Sequence, residues 1–132
     1  MVQARGLRGI GGSWVEGTVL KLDGAVSFLG DVDPESGTLT FKGVEHRIRD
    51  RVLVFTEGKG STVGSYVLYN LKLNMNAPKA IVMLKADAII TMGCIAAGIP
   101  LVHRLSRAEF DRLSDGMRVR VNSALGQIDL GT

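Results

Sequence analysis

The stretch from Arg51 to Tyr69 constrains this chain more than any other part of it. Arg51-Val52-Leu53-Val54-Phe55 is a β-branched, apolar run, which predicts a strand buried on both faces and hence central in a sheet. It runs into Glu57-Gly58-Lys59-Gly60-Ser61-Thr62, a turn too rich in glycine to continue a strand. Val63, Val67 and Leu71, with Tyr66 and Leu68, then recur at helical spacing, so 62–73 reads as a helix despite Gly64. A strand, a tight turn and a helix in that order commit the chain to an α/β architecture. They also deliver two hydroxyls, Ser61 and Thr62, to a helix N-terminus. Backbone N–H groups there lack partners within the helix and carry partial positive charge. They stabilise an anion, whether a ligand's phosphate or carboxylate or a serine alkoxide.

The remaining pattern fills in around this unit. Ser13 to Leu22 reads as a strand interrupted at Gly17, and Asp23-Gly24 as a turn. Ala25 to Leu29 is open between a short strand and an irregular loop. Gly30-Asp31-Val32-Asp33-Pro34-Glu35-Ser36-Gly37 reads as an acidic, turn-rich loop, with Asp33-Pro34 as its initiator. Thr38-Leu39-Thr40-Phe41 and Val44-Glu45-His46-Arg47-Ile48 are short strands around Lys42-Gly43. Lys79 to Leu84 is another buried strand. Asp87 to Ala97 reads as a helix capped by Asp87 and stopped by Gly98-Ile99-Pro100. Leu101-Val102-His103 is a strand, and Ser106-Arg107-Ala108-Glu109 is a capping box that opens a helix through Leu113. Met117 to Ser123 alternates Val119 and Val121 inward against Arg118 and Arg120 outward, and 126–130 closes a hairpin. With 132 residues and 45% hydrophobic content, the expectation is one compact, β-rich α/β domain over 1–132, with short helices packed on the sheet.

Composition narrows the function classes. Aromatic residues make up 5% of the chain, too few for a base-stacking platform. The net charge of +3 is spread over Arg47, Arg49 and Arg51 and over Arg118 and Arg120, alternations that fit the polar face of a strand. No nucleic-acid partner is therefore expected. Cys94 is the single cysteine, read as a small buried hydrophobe. With only His46 and His103 besides, no metal-ligand spacing exists, so no metal is expected on this chain. The N-terminus lacks a signal peptide's apolar run and no stretch is long enough to span a bilayer, so a cytoplasmic location without membrane contact is expected.

The glycine turn fits poorly to the common nucleotide motifs. In a P-loop the lysine follows the last glycine, whereas Lys59 precedes Gly60 and position 54 is Val. A dinucleotide fingerprint fails because Gly58-Lys59-Gly60 is not followed by glycine at 63. A self-contained serine hydrolase needs a base within reach of the serine, and His46 and His103 have no evident link to it. On spacing alone the turn is equally readable as a plain helix entry.

Three segments together resemble a known family. They are 30–37, Gly58-Lys59-Gly60-Ser61-Thr62-Val63-Gly64-Ser65-Tyr66-Val67-Leu68, and Gly93 through Gly98-Ile99-Pro100-Leu101-Val102. They resemble the small subunit of the aconitase X group of hydro-lyases, above all its archaeal phosphomevalonate dehydratase branch, over nearly the whole chain. The resemblance implies the swivel domain that closes over an aconitase-type active site. It implies Ser61 as the proton acceptor, an alkoxide held by surrounding N–H groups, with Gly60, Thr62, Ser65 and Lys59 as substrate-binding residues. It implies a large subunit as heterodimer partner, carrying a [4Fe–4S] cluster on three cysteines with one iron open to the leaving hydroxyl. The implied substrate is an anionic small molecule, (R)-mevalonate 5-phosphate, dehydrated to trans-anhydromevalonate 5-phosphate in an isoprenoid pathway. Ordinary aconitases place arginine where Val63 stands, which weighs against citrate-like substrates. A cis-3-hydroxy-L-proline dehydratase of the same group, and a non-catalytic module that binds an anion or a protein, remain open alternatives.

Overall fold

The computed structural model describes residues 2–3, 5–6, 14–59 and 63–131. In chain order the elements are β1 (Val2–Gln3), β2 (Arg5–Gly6), β3 (Val15–Leu22), α1 (Phe28–Asp31), β4 (Val32–Asp33), β5 (Thr38–Phe41), β6 (Val44–Arg47), β7 (Val52–Phe55) and α2 (Gly64–Leu73). They continue with β8 (Ala80–Met83), α3 (Ala88–Ala97), β9 (Leu101–His103), α4 (Arg107–Asp111), β10 (Arg118–Asn122) and β11 (Gln127–Asp129). The main sheet has the order β1-β11-β10-β3-β7-β8-β9-β2. Its centre, β3-β7-β8-β9, is parallel, and its flanks are antiparallel. A second sheet, β4-β5-β6, is wholly antiparallel.

The apolar run at 52–55 forms the centre because both of its faces are covered. Leu53 and Phe55 join a core with Leu68, Leu71, Ile90 and Cys94 from α2 and α3. Val52 and Val54 join a core on the opposite face with Phe110 and Leu113. β8 divides in the same way, Ile81 and Met83 to the first core and Ala80 and Val82 to the second. The period of two thus makes one sheet that separates two cores.

Three sequence expectations are corrected. Phe28–Asp31 is a short helix, where a short strand or an irregular loop was expected through Leu29 and a turn-rich loop from Gly30. Its N-cap Ser27 accepts from the Gly30 N–H, and Asp31 accepts from the Ser27 N–H at 2.9 Å, so the turn is closed by its own side chains. Arg47, Arg49 and Arg51 do not share a strand face: β6 ends at Arg47, and Asp50 turns the chain at φ 61°. Arg118 and Arg120 do lie on one exposed face, but opposite Glu16 at 3.5 Å and Asp129 at 2.5 Å, so that stripe is neutralised within the fold. Finally, α2 starts at Gly64 with Val63 as its N-cap, two residues later than expected and with no side-chain cap. The Asp87 cap, the left-handed Gly98 and the Ser106 capping box all form as expected.

Candidate active site

β7 ends at the carboxyl edge of the parallel strands, where open α/β sheets bind their ligands. The chain leaves β7 through Thr56 and Glu57 and is zipped at once to the 24–26 segment. Thr56 N donates to Gly24 O at 3.1 Å, Val26 N to Glu57 O at 2.9 Å, and Lys59 N to Val26 O at 3.0 Å. Gly58 is pressed against the start of α3. A Cβ there would sit 3.1 Å from Ile90 Cδ1 and 3.3 Å from Asp87 Oδ2. The near side of the glycine turn is therefore fixed by main-chain bonds and by close packing.

The far side is set by α2. Gly93 on α3 lets the two helices approach so closely that a Cβ on it would lie 2.6 Å from Leu68 Cδ1 and 2.9 Å from Ser65 Cα. The first turn of α2 is anchored by this contact. Its N-cap Val63 makes no side-chain cap, and the N-terminal end of the helix carries partial positive charge.

Of the five residues expected at the site, Gly60, Ser61 and Thr62 lie outside the described residues. The structure separates the other two. Ser65, in the first turn of α2, lines a groove with Tyr66, Tyr69, Met92 and Ala96. Lys59 lines a different pocket, with Lys42, Thr40, Phe41 and Asp31. Lys42 went unremarked in the sequence, although Lys42-Gly43 between two strands marked it as a hairpin tip. The histidines sit elsewhere. His46 is on β6 of the second sheet, and His103 is on β9, separated from β7 by β8. Burial, and then the charge of Arg104, lower the His103 pKa. Cys94 is buried in α3, and burial pushes its thiol up to about 12. No three His, Cys, Asp or Glu side chains among the described residues group as metal ligands. No helix of the described residues is long and apolar enough to cross a membrane.

The outer face of α2 and α3 is apolar and uncovered. Tyr66, Tyr69 and Leu73 of α2 and Met92 and Ile95 of α3 are each between 44% and 68% exposed. α3 carries no charged residue at all, a composition usual for a helix enclosed on every side.

Residues 4–130 match the aconitase X swivel domain. The chain belongs to that family. Among the relatives of this swivel domain is the phosphomevalonate dehydratase small subunit of Pyrococcus horikoshii, 45% identical over 128 residues, which span 93% of this chain and 92% of that protein. The protein of the same name from Methanococcoides burtonii is 45% identical over 118 residues, 87% of this chain and 86% of its own length. Among solved structures, the holo-form of Thermococcus kodakaraensis aconitase X superposes with a TM-score of 0.90 at 39% identity. The match covers 99% of this swivel domain and 98% of that chain. The expected fold class, a compact β-rich α/β swivel domain with short helices on the sheet, is the one observed.

Proposed function

We propose that this swivel domain is the small subunit of a phosphomevalonate dehydratase, a hydro-lyase that removes water from (R)-mevalonate 5-phosphate. The observation that carries the reading is the near end-to-end identity of 45% to relatives that bear that name. In this reading Ser61 takes the proton from carbon. A serine hydroxyl is a poor base at neutral pH and needs its alkoxide stabilised by its setting. The partial positive charge of the α2 N-terminus, a few residues on in the chain, supports that role, and the zipped 56–59 segment fixes where the turn begins. Closure over the substrate would strengthen both by excluding water.

An iron–sulfur cluster supplies a Lewis-acid iron for the departing hydroxyl in this enzyme class. The donor set of this chain does not fit one: its lone thiol is buried and held protonated. We therefore assign the cluster to a large subunit. The uncovered apolar face of α2 and α3, adjoining the glycine turn, supports a partner docked at the site.

The test pairs the chain with a candidate large subunit. The isolated chain is expected to be inactive and the reconstituted complex active. Ser61→Ala is expected to lower turnover by about two to three orders of magnitude, the scale of losing a positioned acid–base group. Iron content is matched between preparations, because loss of the cluster would mimic loss of the base. Turnover by the isolated chain refutes the two-subunit reading. Near-normal turnover of the Ser61→Ala complex refutes the role of Ser61.

A further inference from the structure

The second sheet lends Val32 and Leu39 to the core beneath α2 and α3, and its hairpin reaches beyond that core to the segment from which the glycine turn starts. β5 and β6 pair through Phe41 and Val44, so Lys42 and Gly43 form a two-residue turn with φ of 49° and 78°. Positive φ at both central positions defines the turn type that favours asparagine, aspartate or glycine at the first. Lysine occupies it here. The Phe41 ring is seated on Gly24, where a Cβ would meet its Cζ at 2.9 Å, and the Lys42 ammonium lies 5.4 Å from the centroid of that ring. The hairpin tip is thus docked on the very segment that is zipped to 56–59.

Between hairpin and turn lies a pocket of about 320 Å³, lined by Gly24, Asp31, Thr40, Phe41, Lys42 and Lys59. That volume is at the small end of ligand sites. Neither lysine forms an ion pair with another described residue. Asp31 opposes them with one charge, and one of its oxygens already accepts from the Ser27 N–H. The balance of the lining is one positive charge, with a threonine hydroxyl at hand. Lys59 precedes Ser61 by two residues, so an anion held here is tied in position to the serine turn.

We propose that this pocket binds the phosphate end of the substrate, with Lys42 and Lys59 as its two cationic contacts. The β5–β6 hairpin is then the specificity element of the domain. The inference rests on the reading of the substrate as a phosphate monoester. It predicts that the phosphate is recognised largely by the small subunit.

Two measurements test it. In the reconstituted complex, Lys42→Met is expected to raise KM for (R)-mevalonate 5-phosphate about tenfold or more with kcat held within about twofold, the signature of binding used equally in ground and transition states. Lys42→Arg is expected to restore most of the affinity. Separately, inorganic phosphate is titrated into the full chain and followed by amide NMR. Shifts are expected at Gly24, Lys42 and Lys59, and they are expected to be lost in Lys42→Met. An unchanged KM in Lys42→Met, or phosphate shifts confined to other residues, overturns the pocket assignment. A parent complex that does not dehydrate the substrate refutes the proposed function instead. In that case the titration alone decides whether the pocket takes phosphate.

Discussion

Gly93→Ala is the substitution through which the packing of this domain should be felt at its site. The added Cβ would stand 2.6 Å from Leu68 Cδ1, which can rotate away, and 2.9 Å from Ser65 Cα, which cannot. Carbon atoms rest at about 3.5–4.0 Å, so the start of α2 must withdraw from α3 by roughly 0.6–1 Å. Overpacking of this kind costs about 1–3 kcal/mol. Alanine returns roughly 0.5–1 kcal/mol over glycine in a helix interior, leaving a net loss of up to about 2.5 kcal/mol. Gly64→Ala is the control. Its Cβ would meet Ile89 Cγ2 at 3.7 Å and Phe28 Cβ at 3.9 Å, ordinary contacts, so it should be neutral or slightly stabilising. Urea unfolding of the two variants measures the difference. The functional consequence is larger than the energetic one, because α2 carries the turn. A displacement near 1 Å is expected to reduce kcat of the complex about a hundredfold while the chain remains folded. If Gly93→Ala is as stable as Gly64→Ala, the close approach of α2 and α3 is not a constraint and the reasoning fails.

Two further outcomes follow from side chains outside the site. Cys94 is held protonated by burial, its pKa pushed to about 12 from an ordinary 9.0. Below pH 9 the thiol is neutral in both states and its burial costs nothing extra; above it the unfolded chain ionises and the folded one does not. Stability should therefore fall as pH rises from about 9 to 12, by up to about 1.4 kcal/mol per pH unit, and Cys94→Ala should lose that part of the pH dependence in denaturation curves at pH 8 and 10.5. Asn76 Nδ2 donates to Pro34 O at 3.1 Å and Glu35 O at 2.9 Å, clamping the acidic turn from 42 and 41 residues away. Asn76→Ala should cost about 1–2 kcal/mol in urea unfolding, and a cost near zero would show that the turn holds itself.

What the sequence determined was local, and it was determined well. The unbroken apolar runs at 52–55 and 80–83 announced strands buried on both faces, because alternate side chains point to opposite sides of a pleated backbone and here both kinds are apolar. Asp87, Gly98 and the Ser106 box bounded their helices because each cap satisfies a main-chain group within three or four residues of itself. Asp33 bonds the Glu35 N–H, as an Asp–Pro turn initiator should. The tertiary structure decided whatever depends on partners distant in the chain. Residues 32–47 fold into a sheet of their own, not hydrogen-bonded to the main one though sharing its core, and no local signal distinguishes the two. Only the seating of Phe41 on Gly24 carries Lys42 to the pocket beside Lys59. Ser65, close to Ser61 in sequence, is turned by the rotation of α2 into the groove with Met92 and Ala96. Spacing along the chain can name the residues that hold chemistry. Which of them meet is settled by packing, because a contact between residues dozens of positions apart depends on the whole path between them.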